Sequence, residues 1–353
     1  MFLIGERETI KVTRIDSDLP RTPVRESVYR ALPHLEHITI HYDQIDLTTK
    51  NWKDEVFELP DWRAPVFPDE QKNSTTVKDV LDFFFIGNSI NFAFRDFETG
   101  DKFVAEYNGV EWSGAFGMWA CLKRAYDRGK PVLSGKYLMN LTEDDVRELF
   151  QSANGRQIPL LEERHRILRS VGEQLVNHYD GRFHNLLTEA HPVLFDVENG
   201  IINKITQNFP SFDDTHSLSI RDSVFPVHFY KRAQLALGMA YGRYNGSEIS
   251  ILENPCEFTV FPDYNLPNVL RHMDVISYDD RLSQLIHDGA VLQGGSREDI
   301  ELRIATVVSA DQLVTKLNQH RTRSISCLEM DFKLFSIRDD VQAPVHKTRT
   351  TDY

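Results

Sequence analysis

EFTVFPDYNLPNVLRHM, residues 257–273, changes character at its centre. A short apolar run over 258–261 stops at Pro262 and hands over to Asp263 and Tyr264. Leu266 leads into Pro267, which suits the first turn of a helix because its missing N–H would be unpaired there anyway. Val269 and Leu270 mark one side of the predicted helix, over 266–273, and Arg271, His272 and Met273 close it. A carboxylate therefore stands at the lip of a helix, with a guanidinium and an imidazole one to two turns further on. The same residues also read as an ordinary turn, because Asp at a helix entrance is commonly a cap. The stretch by itself leaves both readings open.

Outward from this helix the pattern stays helical. Apolar periodicity predicts helices over 113–128, 160–179, 201–208, 228–244, 280–288 and 296–319, and Thr142 starts another with a Thr-x-x-Asp box. Thr76 and Asp79 repeat that spacing ahead of Val77, Val80, Leu81 and Phe84. Residues 87–112 differ: alternating runs at 90–97 and 102–107 flank Glu98-Thr99-Gly100-Asp101, which predicts a β-hairpin. Upstream, Pro20, Pro23, Pro33, Pro60, Pro65 and Pro68 interrupt any long helix. Residues 1–70 thus read as an irregular N-terminal extension packed on the body, with a short strand at 37–42. The expected fold class is mainly α: a single large helical domain over 71–340, a small β-hairpin within it, and a C-terminal tail over 341–353.

Composition narrows the partners. The 353 residues are 41% hydrophobic and 11% aromatic, enough for a large core. With 40 basic against 53 acidic residues the net charge is −13, the wrong sign for a protein held on phosphate backbones, so duplex nucleic acid is not expected as a partner. Cys121, Cys256 and Cys327 form no CxxC pair, which suits a reducing compartment and argues against a disulfide framework or a zinc site. The apolar run in MFLIGERETIK is too short for a signal peptide, and residues 80–86, with Asp82 inside, cannot span a bilayer. The expectation is a cytoplasmic protein with no membrane partner.

The chain has no GxGxxG, no GxxxxGK[ST] and no HExxH. Gly87-Asn88-Ser89-Ile90-Asn91 approaches a nucleophile elbow, but Asn91 replaces the second Gly, and Ser89 reads as structural. Four constellations remain. Asn91, Phe92 and Phe94 offer an amide for a base edge and a stacking face, or simply one apolar strand face. Trp112 and Trp119 flank small residues, which suits close approach by a ligand or by a packed helix. Lys231 and Arg232 open a helix, where free N–H groups attract anions, although a KR pair is usually a solvated face. Asp331 lies among Leu328, Leu334 and Phe335, where a buried carboxylate must be paired or bind something.

Taken in order, NFAF (91–94), the 112–124 run, NLTEDDVRELF (140–150), IPLLEERHRILRSVGEQL (158–175), NFPSFDD (208–214), FYKRAQ (229–234), FPDYNLPNVLRHM (261–273) and ELRIAT (301–306) resemble the queuosine salvage family, the queuosine 5′-phosphate N-glycosylases. The resemblance runs from about residue 77 to 335. It implies a hydrolase that cleaves the N-glycosidic bond of queuosine 5′-monophosphate, releasing queuine for tRNA modification and ribose 5-phosphate. It implies no metal and no cofactor, and a helical fold similar to that of the helix-hairpin-helix DNA glycosylases. It places the catalytic carboxylate on Asp263, phosphate contacts on Lys231, Arg271 and His272, and base contacts on Asn91, Phe92 and Asp331. For Asp331 an alternative is a structural pair with Arg303. Three departures stand out: Arg95 where the family tends to have Trp, Pro262 and Asn265 where Ala and Arg are usual, and a DFKLF segment poorer in aromatic residues. The competing readings are a non-catalytic binder of modified nucleosides or tRNA-derived fragments, and a DNA repair glycosylase, which the net charge disfavours.

Overall fold

Ser296 opens a 22-residue helix, Arg297–Asn318, its hydroxyl accepting from the Asp299 N–H at 3.3 Å. The structure, a computed structural model, describes residues 19–72, 74–220 and 223–353. Among these residues there are fourteen α-helices and four two-stranded sheets. The predicted helices appear as Val77–Ser89, Ala115–Asp127, Glu143–Leu149, Leu161–His178, Ile201–Asn208, Lys231–Tyr244, Leu266–His272, Asp280–His287 and Arg297–Asn318. Both expected capping boxes, Thr76 with Asp79 and Thr142 with Asp145, are made in full. The chain is mainly helical, as its periodicity implies.

Two expectations are corrected. Residues 19–70 are not irregular: Pro23–Ala31 and Tyr42–Trp52 are helices, while the expected short strand forms as Ile38–Ile40, antiparallel to Ile276–Tyr278; residues 1–18 of the expected extension lie outside the described residues. Pro23 begins its helix, in the position where a missing N–H costs nothing, with the Thr22 hydroxyl as cap. Buried Arg25 then ties that helix to Asp311 at 3.0 Å and to the Phe258 carbonyl at 2.6 Å. The two-stranded hairpin is Val104–Tyr107 with Val110–Ser113, turned by Asn108 and Gly109 at φ 53° and 75°. That Asn-Gly pair is a strong hairpin signal, whereas Arg95 and Lys102 make only an isolated bridge. Residues from 341 onward add a further pairing. Lys347–Arg349 pairs parallel with Val291–Gln293, and buried Tyr353 donates its hydroxyl to Asp299 at 2.5 Å.

Two apolar clusters form the interior. One gathers the Val77–Ser89, Ala115–Asp127 and Leu161–His178 helices with Phe258 and Phe261. The other gathers Pro23–Ala31, Leu266–His272 and Arg297–Asn318 with Val260. Cys327–Ile337 belongs to both, giving Leu328 to the first and Met330 and Leu334 to the second. The extended residues 258–263 run along this seam, with Phe258 and Phe261 in the first cluster and Val260 in the second.

Candidate active site

The approach to Asp263 is held from three sides. Gln234, from FYKRAQ, accepts from the Thr259 N–H at 3.0 Å and donates to the Phe229 carbonyl at 2.8 Å, clamping the extended run to its neighbour. Arg303 donates from Nε to the Pro262 carbonyl at 3.2 Å. Asp263 itself folds back on its own turn: Oδ1 accepts from the Asn265 N–H at 2.7 Å and the Leu266 N–H at 3.3 Å, and Oδ2 accepts from the Asn265 amide at 2.9 Å. The turn reading and the site reading therefore coexist, because the same half-buried carboxylate also lines a cleft of about 670 Å³.

Lys231 and Asp331 line the same cleft. Lys231 is the first residue of its helix; its N–H donates to Asp214 at 3.1 Å, and among the described residues its Nζ has no hydrogen-bond partner. Burial lowers its pKa, partly opposed by the charges of Asp263 and Asp331. Asp331 is 4% exposed and accepts from the Phe261 N–H at 2.6 Å through Oδ1. Burial pushes its pKa well above the ordinary carboxylate range, and the Asp263 charge adds to that. The alternative pairing with Arg303 is not made. Arg303 instead grips Asp214 with both terminal nitrogens, at 2.7 and 2.5 Å, and its charge and that of His216 hold Asp214 low against the opposing effect of burial.

Asp214, His216 and Asp352 lie close enough to suggest a metal cluster. Both Asp214 oxygens already face the Arg303 guanidinium, so the cluster is balanced without a cation.

Of the seven residues singled out from the sequence, Asn91, Lys231, Asp263 and Asp331 line the cleft. Phe92, Arg271 and His272 do not. Phe92 is fully buried between two guanidinia, those of Arg164 at 4.3 Å and Arg232 at 5.4 Å from its ring. The segment is not a strand, because Ala93 turns it at φ 43° and Arg164 collects the carbonyls of Ile90, Phe92 and Ala93. That turn sends Asn91 and Phe94 to the cleft and Phe92 into the core. Arg271 stacks over Tyr278 at 4.7 Å and His272 is exposed, both at the far end of the Leu266–His272 helix. A rise of about 1.5 Å per residue carries them away from the lip that Asp263 occupies.

The sequence reading missed much of the lining. Trp62 and Phe332 meet edge to face at 5.4 Å on the cleft, and residues from 341 onward, including Val345 and Tyr353, supply another side. Nothing periodic marks those residues. Chemically, Asp263, Asp331 and Lys231 share the cleft with aromatic faces and with other charged side chains, a set able to stabilise a developing cation and to hold a flat ring.

The chain matches the family described as queuosine salvage protein over residues 70–353. It is 28% identical over 336 residues to the queuosine 5′-phosphate N-glycosylase/hydrolase of Sphaerobacter thermophilus, covering 94% of this chain and 98% of that relative. It is 28% identical over 285 residues to the mouse protein of the same name, covering 78% and 82%. The fission yeast Schizosaccharomyces pombe protein of that name is 25% identical over 307 residues, covering 83% and 86%. A match over this much of the chain means that the chain belongs to the queuosine salvage protein family.

Proposed function

We propose that this protein hydrolyses the N-glycosidic bond of queuosine 5′-monophosphate, releasing queuine for salvage and ribose 5-phosphate. The observation that carries the reading is the meeting of Asp263, Lys231 and Asp331 on one aromatic cleft. Family membership and the names of the relatives support the substrate. In the reaction the bond between sugar C1′ and the base nitrogen breaks, and its electron pair leaves with the base. Positive charge grows on the sugar, and the Asp263 carboxylate stabilises it, whether by attacking C1′ or by steering water. A buried ammonium with a lowered pKa gives up its proton more readily, so Lys231 is placed to protonate the departing base. Water then supplies the hydroxyl at C1′, and its proton restores Lys231. Asp331 accepts from the ring N–H donors of the 7-deazaguanine, with Asn91 beside it and Phe332 and Trp62 as stacking faces.

The same reading carries a cytoplasmic protein that needs no metal or cofactor, and a scaffold akin to that of the helix-hairpin-helix DNA glycosylases. Among the described residues no helix is long and apolar enough to cross a membrane. Release of free queuine from queuosine 5′-phosphate, followed by chromatography, tests the function. Tight binding without release would replace it with the non-catalytic binder.

A further inference from the structure

Two asparagines stand one behind the other at the cleft wall. Asn88 is fully buried in the last turn of the Val77–Ser89 helix, and Asn91 follows three residues on. Asn91 lines the cleft, and Asn88 stands behind it without lining it. The Asn88 side-chain nitrogen donates to the Phe84 carbonyl at 2.8 Å and to the Met239 sulfur at 3.2 Å. Its Oδ1 accepts from the Asn91 side-chain nitrogen at 2.8 Å.

The chemistry of these partners allows one orientation of both amides. A carbonyl and a thioether accept and cannot donate, so the side of Asn88 that faces them is its NH2. The Asn88 oxygen must then face Asn91. An oxygen takes only a donor, so Asn91 turns its own NH2 inward. The Asn91 Oδ1 is left over, and among the described residues no protein donor reaches it. The backbone is held as well. Arg232 grips the Ser89 carbonyl, Arg164 grips the Ile90 carbonyl, and the Asn91 N–H donates to the Asn88 carbonyl at 3.4 Å.

The cleft therefore presents an acceptor at this point and not a donor. A ligand that brings an N–H there keeps the oxygen paired. One that brings an acceptor or an apolar group strands it, at the cost of an unmade hydrogen bond. We infer that Asn88 is a positioning residue that fixes Asn91 as an acceptor, and so makes the cleft select bases that offer it a hydrogen-bond donor. Asn88 does this without touching the ligand. The inference rests on the glycosylase reading above for the class of ligand. Queuine carries such donors at ring N1, at the 2-amino group and at the side-chain amine.

The test measures binding of free bases by calorimetry to wild type, Asn88→Leu and Asn91→Asp. The bases are queuine, 7-deazaguanine, which lacks the side-chain amine, and the 2-deamino and 1-methyl forms of 7-deazaguanine, each short of one more donor. In wild type, removal of at least one of the three donors weakens binding about 10-fold or more, the worth of a hydrogen bond whose acceptor is left unpaired. In Asn88→Leu that ratio falls to within about threefold, because the Asn91 amide is free to turn its NH2 to the cleft. A merely structural loss weakens every base alike and leaves all three ratios as in wild type, which overturns the inference. Asn91→Asp keeps the ratio, since a carboxyl group gives one proton to Asn88 and leaves an oxygen for the cleft. It tests the acceptor even if Asn88→Leu does not fold. A reversed preference in Asn91→Asp, or no preference in wild type, overturns the assignment. Only free bases are used, so a collapse of the ratio in Asn88→Leu supports the inference even if wild type releases no base from queuosine 5′-phosphate. Unchanged ratios overturn it even if base release stands.

Discussion

Asp263 carries two duties on one carboxylate, tying its own turn through Asn265 and Leu266 while facing the cleft. Asparagine keeps an oxygen for the turn and removes only the charge. Asp263→Asn should therefore lower single-turnover base release by about 100- to 1000-fold while substrate affinity stays near wild type. A rate close to wild type would leave Asp263 a turn residue and nothing more. At Asp331, burial keeps the proton on, and ring N–H donors favour the ionised form. Queuine binding near neutral pH should then release protons and weaken as pH falls. Calorimetry in buffers of different ionisation enthalpy measures this, and Asp331→Asn should abolish the proton release. Why these residues were legible and others not is a matter of what fixes each one. Asp263 and Lys231 sit at helix starts, which sequence marks. Phe92 departs from its local pattern because two arginines, far away in sequence, draw its ring inward.

At the scale of elements, close helix approach governs the aromatic side of the cleft. Gly87 packs so tightly on Trp119 that an added methyl would fall inside the indole ring. Gly87→Ala should cost about 1–3 kcal/mol of stability by overpacking. It should also raise KM, since Trp119 borders the cleft. Urea unfolding and steady-state kinetics on one preparation check both, and an unchanged midpoint would contradict the packing argument. Helices were readable because caps and periodicity are local: Thr76 with Asp79, and Thr142 with Asp145, sit within a single turn. Over 90–107 apolar alternation suggests pairing that the chain does not make, while the decisive signal is Asn108-Gly109 further on.

Across the whole molecule, charge networks join segments that no local pattern connects. Burial alone would lower the pKa of His216, but its hydrogen bonds to Asp214 and Asp352 raise it from 6.5 to about 9. Its stabilising contribution is therefore whole below about 6.5 and is lost as pH climbs toward 9. Melting curves should fall over that window in wild type and flatten in His216→Gln; parallel curves would show that the histidine carries no such linkage. The first helix and the last residues escaped sequence reading for the same reason, since Arg25 finds Asp311 and Lys347–Arg349 finds Val291–Gln293 only across the folded chain. That last pairing also sets an order in time. During synthesis, Asp263, Lys231 and Asp331 leave the ribosome before residues 341–353, which close one side of the cleft. A nascent chain halted at residue 340 has these side chains but no finished chamber, so the cleft gains that wall only once residues 341–353 have been made.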